Sequence, residues 1–235
     1  MTVVFTRQGL FEGARAILPL VPGAVLFGIA LGMLARQSGL STAETGLMSL
    51  LVFAGASQFL ALQLWADPLP VLAIVVATAA VNARHLLMGA ALAPWFAALP
   101  RRTAFASLFF MTDENWGVSM ARFHGGLRDA AFLLGGGLVL YGTWASATVL
   151  GHLAAGLIAD PSAYGIDALV NGVFLVLLLL QWRGRGSLLP WGVAIVTALT
   201  VEAFLPAGWH VLLGALAGSL AGTLAERSSE PERGR

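Results

Sequence analysis

Long apolar segments separated by short polar connectors dominate this chain, and they leave few folds open to it. Eight segments approach the roughly 20 residues that a helix needs to cross a bilayer; they are 15–35, 44–65, 70–99, 103–121, 130–158, 167–182, 188–205 and 209–225. Charged residues are only 11% of the 235 positions, whereas a soluble domain carries about 25%. We therefore predict an all-α, polytopic membrane protein with about seven or eight transmembrane helices.

Two of the eight segments depart from a simple span. The third, 70–99, is long enough for a broken or strongly tilted helix. The fourth, 103–121, carries Asp113, Glu114 and Asn115 near its centre, so it spans the membrane only if these groups face a polar interior.

Arginine placement predicts the topology of the chain. With the amino terminus inside and eight spans, the inside segments hold most of the arginines, namely Arg7, Arg15, Arg122, Arg128, Arg183, Arg185, Arg227, Arg233 and Arg235. The outside loops then hold Arg36, Arg101 and Arg102. This distribution follows the positive-inside rule, so we predict a cytoplasmic amino terminus and a single membrane domain, 1–235.

A weak internal repeat is visible within this domain. The segment Pro19–Gly28 resembles Leu133–Gly142, and His85 and Gly89 are matched by a later His and Gly at the same spacing. We predict a first repeat over 15–99, a linking helix over 103–121 and a second repeat over 130–225. Two facing sets of repeated helices, with the substrate bound between them, are common in secondary transporters.

The third apolar segment contains the sequence Asn82-Ala83-Arg84-His85. An ionisable group at mid-membrane depth costs several kcal/mol unless it is paired or faces water. We therefore predict that Asn82, Arg84 and His85 line a substrate pathway. The alternatives are a polar contact between helices, or a helix break at Asn82 that lets the charged side chains reach an interface.

Several residues are expected to interrupt helices. They are Pro19, Pro22, Gly23 and Gly28 in the first segment, and Gly55 in the second. Prolines free backbone carbonyls that must find partners or line a cavity. Close helix packing through small residues is the alternative explanation for the glycines.

Polar side chains inside the apolar segments complete the predicted site. Ser57 and Gln58 follow Gly55 and are predicted either to orient a ligand or to join helices by hydrogen bonds. Asn171 is predicted to bind polar ligand atoms or to tie helices together. Asp113, Glu114 and Glu202 are the candidates for proton coupling, because carboxylates inside membranes often carry protons.

Other classes of protein find little support. The net charge of +1 predicts no nucleic-acid partner, and the absence of cysteine excludes thiolate metal sites and cysteine nucleophiles. No metal-ligand spacing or ATP-binding loop is present, so we predict neither a metal nor a cofactor. An intramembrane enzyme could be built only around His85 and the Asp113-Glu114 pair, and we predict that the chain is not an enzyme.

Taken together, the motifs resemble those of the AzlC/YgaZ family. The resemblance rests on Phe53-Ala-Gly-Ala-Ser57-Gln58-Phe59, Asn82-Ala-Arg84-His85-x-x-Met88-Gly89, Thr112-Asp113-Glu114, Tyr141-Gly142-x-Trp144 and Gly165-Ile166-Asp167, and it covers about residues 10 to 220. It implies a branched-chain amino-acid permease of the bacterial cytoplasmic membrane, acting chiefly as an exporter. It also implies a small membrane partner of the AzlD/YgaH type.

We thus predict a secondary transporter that exports small apolar amino acids, with coupling to protons. An amino-acid zwitterion needs donors for its carboxylate, acceptors for its ammonium and an apolar pocket. The same groups could instead form a closed Arg–carboxylate pair without a ligand. The alternative function is a non-catalytic membrane subunit or scaffold whose transport depends wholly on a partner.

Overall fold

The computed structural model describes residues 3–157, 175, 182, 184–204 and 209–229, and these form helices joined by turns. The helices are α1 (Arg7–Ile17), α2 (Val21–Gln37), α3 (Thr42–Leu51), α4 (Gly55–Gln63), α5 (Val71–Asn82), α6 (Arg84–Phe96), α7 (Arg101–Phe109), α8 (Asp113–His124), α9 (Ala131–Gly156), α10 (Leu188–Phe204) and α11 (Trp209–Ser229). The predicted all-α membrane fold is confirmed.

Three continuous stretches of the described chain are long and apolar enough to cross a membrane. They are Arg7–Gln37, which contains α1 and α2, Val71–Phe96, which contains α5 and α6, and α9. A helix of 26 residues, such as α9, is about 39 Å long. Two shorter apolar helices follow, Leu188–Phe204 and Leu213–Ala225. The predicted number of seven or eight spans is not confirmed.

The first span and α9 pack side by side and run in the same direction. Gly13 lies against the Phe132 carbonyl, Gly28 against Ala147, and Gly32 against the backbone of Thr148. A Cβ atom at Gly13 or Gly32 would overlap the carbonyl oxygen facing it, so this approach depends on glycine. Because residue numbers rise together along both helices, α9 begins at the same membrane face as α1.

Helix α3 covers only the carboxyl half of α9. At its start, the Thr42 hydroxyl lies 3.2 Å from Nδ1 of the buried His152, near the carboxyl end of α9. At its end, the Leu50 carbonyl accepts a 2.9 Å hydrogen bond from the hydroxyl of Tyr141, in the middle of α9. Helix α3 therefore descends from one membrane face and stops at mid-membrane depth.

Helix α4 returns to the face from which α3 came. Gly55 lies against the indole ring of Trp144, while Phe59 and Leu62 pack with Leu31 and Leu40 near the far end of α2. The two helices have 10 and 9 residues, or about 15 and 14 Å, which is half of a 30 Å hydrocarbon layer. They form a re-entrant hairpin, which we call hairpin 1.

Helices α7 and α8 form a second re-entrant hairpin, hairpin 2, from the opposite face. Helix α8 runs parallel to α6, because the Trp116 indole nitrogen donates to the Met88 carbonyl over 3.1 Å and Phe123 stacks on Trp95 with ring centroids 4.9 Å apart. Helix α7, which connects α6 to α8 along the chain, must therefore run in the opposite direction to both. It ends at Phe109, and the carbonyl of the next residue, Phe110, lies against Gly137 of α9.

This arrangement corrects two predicted spans. Segments 44–65 and 103–121 were expected to cross the membrane once each. Each is instead divided, at 52–54 and at 110–112, and its second half turns back. Hydropathy records how apolar a segment is and not the direction in which it runs, so two half-length helices read as one whole span.

Because hairpin 1 does not cross the membrane, two arginines that follow the next span move to the other face. Arg101 and Arg102 begin α7 and so lie at the amino-terminal end of α9, although the sequence analysis put them outside. They join the other arginines at this end, namely Arg7, Arg15, Arg122 and Arg128. In the described part of the chain from residue 3 to residue 157, the opposite end holds only Arg36. By the positive-inside rule, the arginine-rich end faces the cytoplasm.

The hairpins predict a labelling pattern that ordinary spans would not give. Because the chain has no cysteine, Ala43→Cys and Asp67→Cys place single thiols on exposed positions before and after hairpin 1. Both should react with a membrane-impermeant thiol reagent in intact cells.

Arg102→Cys and His124→Cys flank hairpin 2 and serve as the matched pair for the inner face. These two should react only after the cells are permeabilised. Labelling of Ala43→Cys and Asp67→Cys from opposite sides would show that 44–65 crosses the membrane after all.

Candidate functional site

The tips of the two hairpins meet at the middle of α9. The ring of Tyr141 contacts Phe53 of the first tip edge-on at a centroid distance of 5.2 Å, and Phe110 of the second tip at 5.0 Å. Its hydroxyl also holds the Leu50 carbonyl at the end of α3. Tyr141 of α9 therefore contacts the non-helical backbone segments at the tips of both hairpins, 52–54 and 110–112.

The tip of hairpin 1 presents the uncapped amino terminus of α4. Ala54 precedes the helix in a non-helical conformation, and no side chain caps the first turn. The first N–H groups of a helix have no partner within it and carry a partial positive charge. Here they lie near mid-membrane depth, where they suit an anionic group.

Ser57 and Gln58 join this tip to its neighbours and are buried. The Ser57 hydroxyl donates to Oδ1 of Asn82 over 2.7 Å. The Gln58 amide donates to the Ser49 hydroxyl at 3.2 Å, and its oxygen accepts from the indole nitrogen of Trp144 at 2.9 Å. In this conformation both residues connect helices, and their role in a pathway stays a prediction.

The predicted Asn82–His85 cluster lies at the junction of α5 and α6. Arg84 forms an ion pair with Asp113, with Nη1 and Oδ2 2.8 Å apart, and the two side chains are 43% and 45% exposed. The imidazole Nδ1 of His85 lies 3.2 Å from the Asn82 carbonyl. The structure thus forms two contacts at this junction, Ser57 with Asn82 and Arg84 with Asp113, and Asn82 and Arg84 lie two residues apart along the chain.

Hairpin 2 presents the amino terminus of α8 to this ion pair. The Thr112 hydroxyl caps the helix by accepting from the Asn115 N–H at 3.2 Å. Asp113 and Glu114 occupy the first turn, where negative charge is favoured by the helix dipole. Glu114 is exposed and makes no hydrogen bond or ion pair with the described residues. Only one of the two adjacent carboxylates is therefore paired.

Asn115 also lies in this hairpin, although it was not among the predicted site residues. It is buried, its amide nitrogen donates to the Leu133 carbonyl at 2.7 Å, and its Oδ1 has no partner. Its position in hairpin 2 matches that of Gln58 in hairpin 1, since each amide follows a tip phenylalanine by five residues. The signal in the sequence was this common spacing after Phe53 and Phe110.

The remaining predicted residues lie apart from this centre. Pro19 lies within the short 3-10 turn Leu18–Leu20 that joins α1 to α2, and Pro22 lies in the first turn of α2. Gly23 is helical with open space beside it, whereas Gly28 packs against α9. Glu202 is exposed on α10. Asn171 lies outside the described residues.

The central arrangement offers the three features that bind a zwitterion with an apolar side chain. Arg84 and the α4 amino terminus supply positive charge, and Asp113 and Glu114 supply negative charge. The rings at the hairpin tips supply an apolar surface. Among the residues that the structure describes, no three His, Asp or Glu side chains converge as metal ligands would.

Comparisons with known proteins show what this chain is similar to. The family model described as AzlC protein matches residues 19–158. An uncharacterized membrane protein of Archaeoglobus fulgidus is 35% identical over 181 residues, which covers 76% of this chain and 77% of the relative. No solved structure matches the chain.

Two further relatives carry names. The inner membrane protein YgaZ of Escherichia coli is 25% identical over 213 residues, which covers 88% of this chain and 86% of the relative. The branched-chain amino acid transport protein AzlC of Bacillus subtilis is 23% identical over 166 residues, or 70% of this chain and 65% of the relative.

The hydrogen bonds of Gln58 predict a large effect on stability. Gln58→Leu would leave the Trp144 indole N–H and the Ser49 hydroxyl without their partner, and an unsatisfied buried group costs about 1–3 kcal/mol. We expect a clear fall in the thermal unfolding temperature of the protein in detergent. The matched control is Gln63→Leu at the exposed end of α4, which should change it little. Equal unfolding temperatures for the two variants would contradict the bracing role of Gln58.

Proposed function

The chain belongs to the AzlC family, and from that premise we propose that it is a secondary transporter that exports branched-chain amino acids across the cytoplasmic membrane. One observation carries the proposal: two half-membrane hairpins from opposite faces meet beside a half-exposed ion pair. Discontinuous helices that meet at the midplane are the usual substrate site of such transporters. The name of the Bacillus subtilis relative supports the substrate class.

In this proposal the substrate inserts into the Arg84–Asp113 pair. Its carboxylate binds the Arg84 guanidinium and the α4 amino terminus, and its ammonium binds Asp113 or Glu114. Each charge of the pair then exchanges one partner for another, so no buried charge is left unpaired. The aliphatic side chain lies on Phe53, Phe110 and Tyr141, whose rings cannot hydrogen-bond a polar side chain through their faces.

Glu114 is the proposed proton carrier. Asp113 is held by Arg84, whereas Glu114 is exposed and unpaired among the described residues, so we assign the carrier role to Glu114 and not to Asp113. Glu202 lies on α10, and nothing in its described contacts links it to the ion pair. The histidine nearest to this ion pair along the chain is His85, which directly follows Arg84.

A small membrane partner of the AzlD/YgaH type is part of the proposal. Its support is the exposure of α6, where Leu86 and Leu87 are each 77% exposed beside the half-exposed Arg84. An ion pair at mid-membrane depth is costly against lipid, so either water or another protein must cover it. The alternative that the chain is only a subunit makes a different prediction for the chain alone.

Reconstitution separates these possibilities. Proteoliposomes that contain only this chain should take up radiolabelled leucine in exchange for internal leucine, and the substrate should be recovered chemically unchanged. Transport that requires the co-reconstituted partner would support the subunit alternative. Altered product in place of intact leucine would indicate an enzyme.

The first functional prediction concerns the shape of the Arg84 side chain. Lysine keeps the positive charge but loses the planar, bidentate guanidinium. Arg84→Lys should reduce exchange at least about tenfold, the loss expected for one charge-assisted hydrogen bond. Arg102→Lys, on the exposed start of α7, is the matched control and should exchange like wild type. Near-normal exchange by a well-expressed Arg84→Lys variant would remove Arg84 from the substrate site.

The second functional prediction concerns coupling. Glu114→Gln should abolish the stimulation of transport by an imposed pH gradient while leucine exchange stays measurable. Glu202→Gln and Glu12→Gln are controls that should keep the stimulation. If wild-type vesicles transport equally with and without the gradient and move no protons, Asp113 and Glu114 bind only the ammonium group.

A further inference from the structure

A cavity at the cytoplasmic end of the molecule lies apart from the central site. It is an open cleft with a volume of about 760 Å³, lined by α1, the end of α8 and the start of α9. Arg15 and Arg122 line it together with Glu12, and its apolar walls include Leu127 and Phe132. The proposed transport mechanism makes no use of it.

The two arginines of this cavity lack carboxylate partners. The structure forms no ion pair at either guanidinium within its described residues. The carboxylate of Glu12 is engaged instead by the amide of Gln8, which donates to it over 2.8 Å. The cavity thus holds two cations and one carboxylate that is already hydrogen-bonded, a charge balance that suits a phosphate.

The depth of the cavity matches that of a lipid phosphate. Phe132 stands at the start of α9, and Tyr141 at the hairpin tips lies nine residues, or about 14 Å, further along the helix. If the tips mark the midplane, Phe132 lies at the boundary of a hydrocarbon layer about 15 Å in half-thickness. Two neighbouring apolar side chains are exposed on the same side as Arg15: Phe11 of α1 at 76% and Leu18, the first residue after α1, at 53%.

We propose that this cavity binds the phosphate of an anionic phospholipid from the cytoplasmic leaflet. Arg15 and Arg122 hold the phosphate oxygens, and Leu127 and Phe132 contact the glycerol and the first methylene groups. An unpaired arginine near an anionic membrane surface gains from such contacts. The head group would thereby bridge α1 and the end of α8, which both pack against α9.

Native mass spectrometry of the full chain in a non-ionic detergent tests the proposal. The wild type should retain dioctanoyl-phosphatidylglycerol in preference to dioctanoylglycerol, which lacks the phosphate. Arg15→Gln/Arg122→Gln should weaken binding roughly thirtyfold, whereas each single variant should weaken it about fivefold. The matched control, Arg101→Gln/Arg102→Gln, removes two charges from the same face outside the cavity and should bind as the wild type does.

The outcomes separate lipid from other ligands. If the protein retained soluble glycerol 3-phosphate as well as the lipid, the assignment to a lipid would be overturned. If it retained free leucine in place of the lipid, the cavity would be assigned to substrate. Equal lipid binding by the cavity variants and the control would also overturn it. If the double variant fails to fold, the single variants decide by the same criterion. No transport is measured, so failure of the proposed function leaves this test intact.

Discussion

The requirement that backbone polar groups be satisfied inside a membrane governs this structure. Irregular backbone at mid-membrane depth is tolerated only where protein covers it or it lines a cavity. Here α9 supplies the covering: Tyr141 binds the Leu50 carbonyl at one side of the first tip, and Trp144 binds Gln58 at the other side. One turn of α9 therefore holds both halves of hairpin 1, and without it the break at 52–54 would face lipid.

The second hairpin depends on the same helix in a different way. Gly137 lets the Phe110 carbonyl approach α9, and the Asn115 amide reaches the Leu133 carbonyl of the same span. Hairpin 2 thus combines one side-chain bridge with close approach through glycine, whereas the tip of hairpin 1 has two side-chain bridges to α9. The parallel contact of α1 and α2 with α9 uses glycine too, at Gly13 and Gly32. A single helix, in contact with the first span and both tips, positions the whole site.

Sequence alone predicted the fold class, and it singled out several of the polar residues that the structure places at the junction of α5 and α6. The apolar segments identify a helical membrane protein, and an Arg next to polar groups in such a segment marks Arg84 as a site residue whatever its partner. A closed pair between an arginine and a carboxylate was one of the predicted alternatives, and the structure forms it between Arg84 and Asp113. The hairpins could not be predicted from the sequence, because 44–65 has the length of one span and the residues at its break, Val52 and Phe53, are apolar. The misplacement of Arg101 and Arg102 followed from that. Asn115 was not predicted as a site residue, because its uncharged amide lies next to two carboxylates, Asp113 and Glu114, which are a stronger sign of a site within an apolar segment.

The meeting of the hairpin tips at Tyr141 has an electrical consequence. In the proposed transport cycle, water that enters beside each hairpin would narrow the apolar barrier to the contact of Tyr141 with Phe53 and Phe110. A voltage across the bilayer falls mainly over its least polarisable layer, and 100 mV is worth about 2.3 kcal/mol for one elementary charge. The field would then be concentrated beside Asp113 and Glu114. A proton or ammonium group that passes the tips would cross most of the membrane potential within a few side-chain lengths.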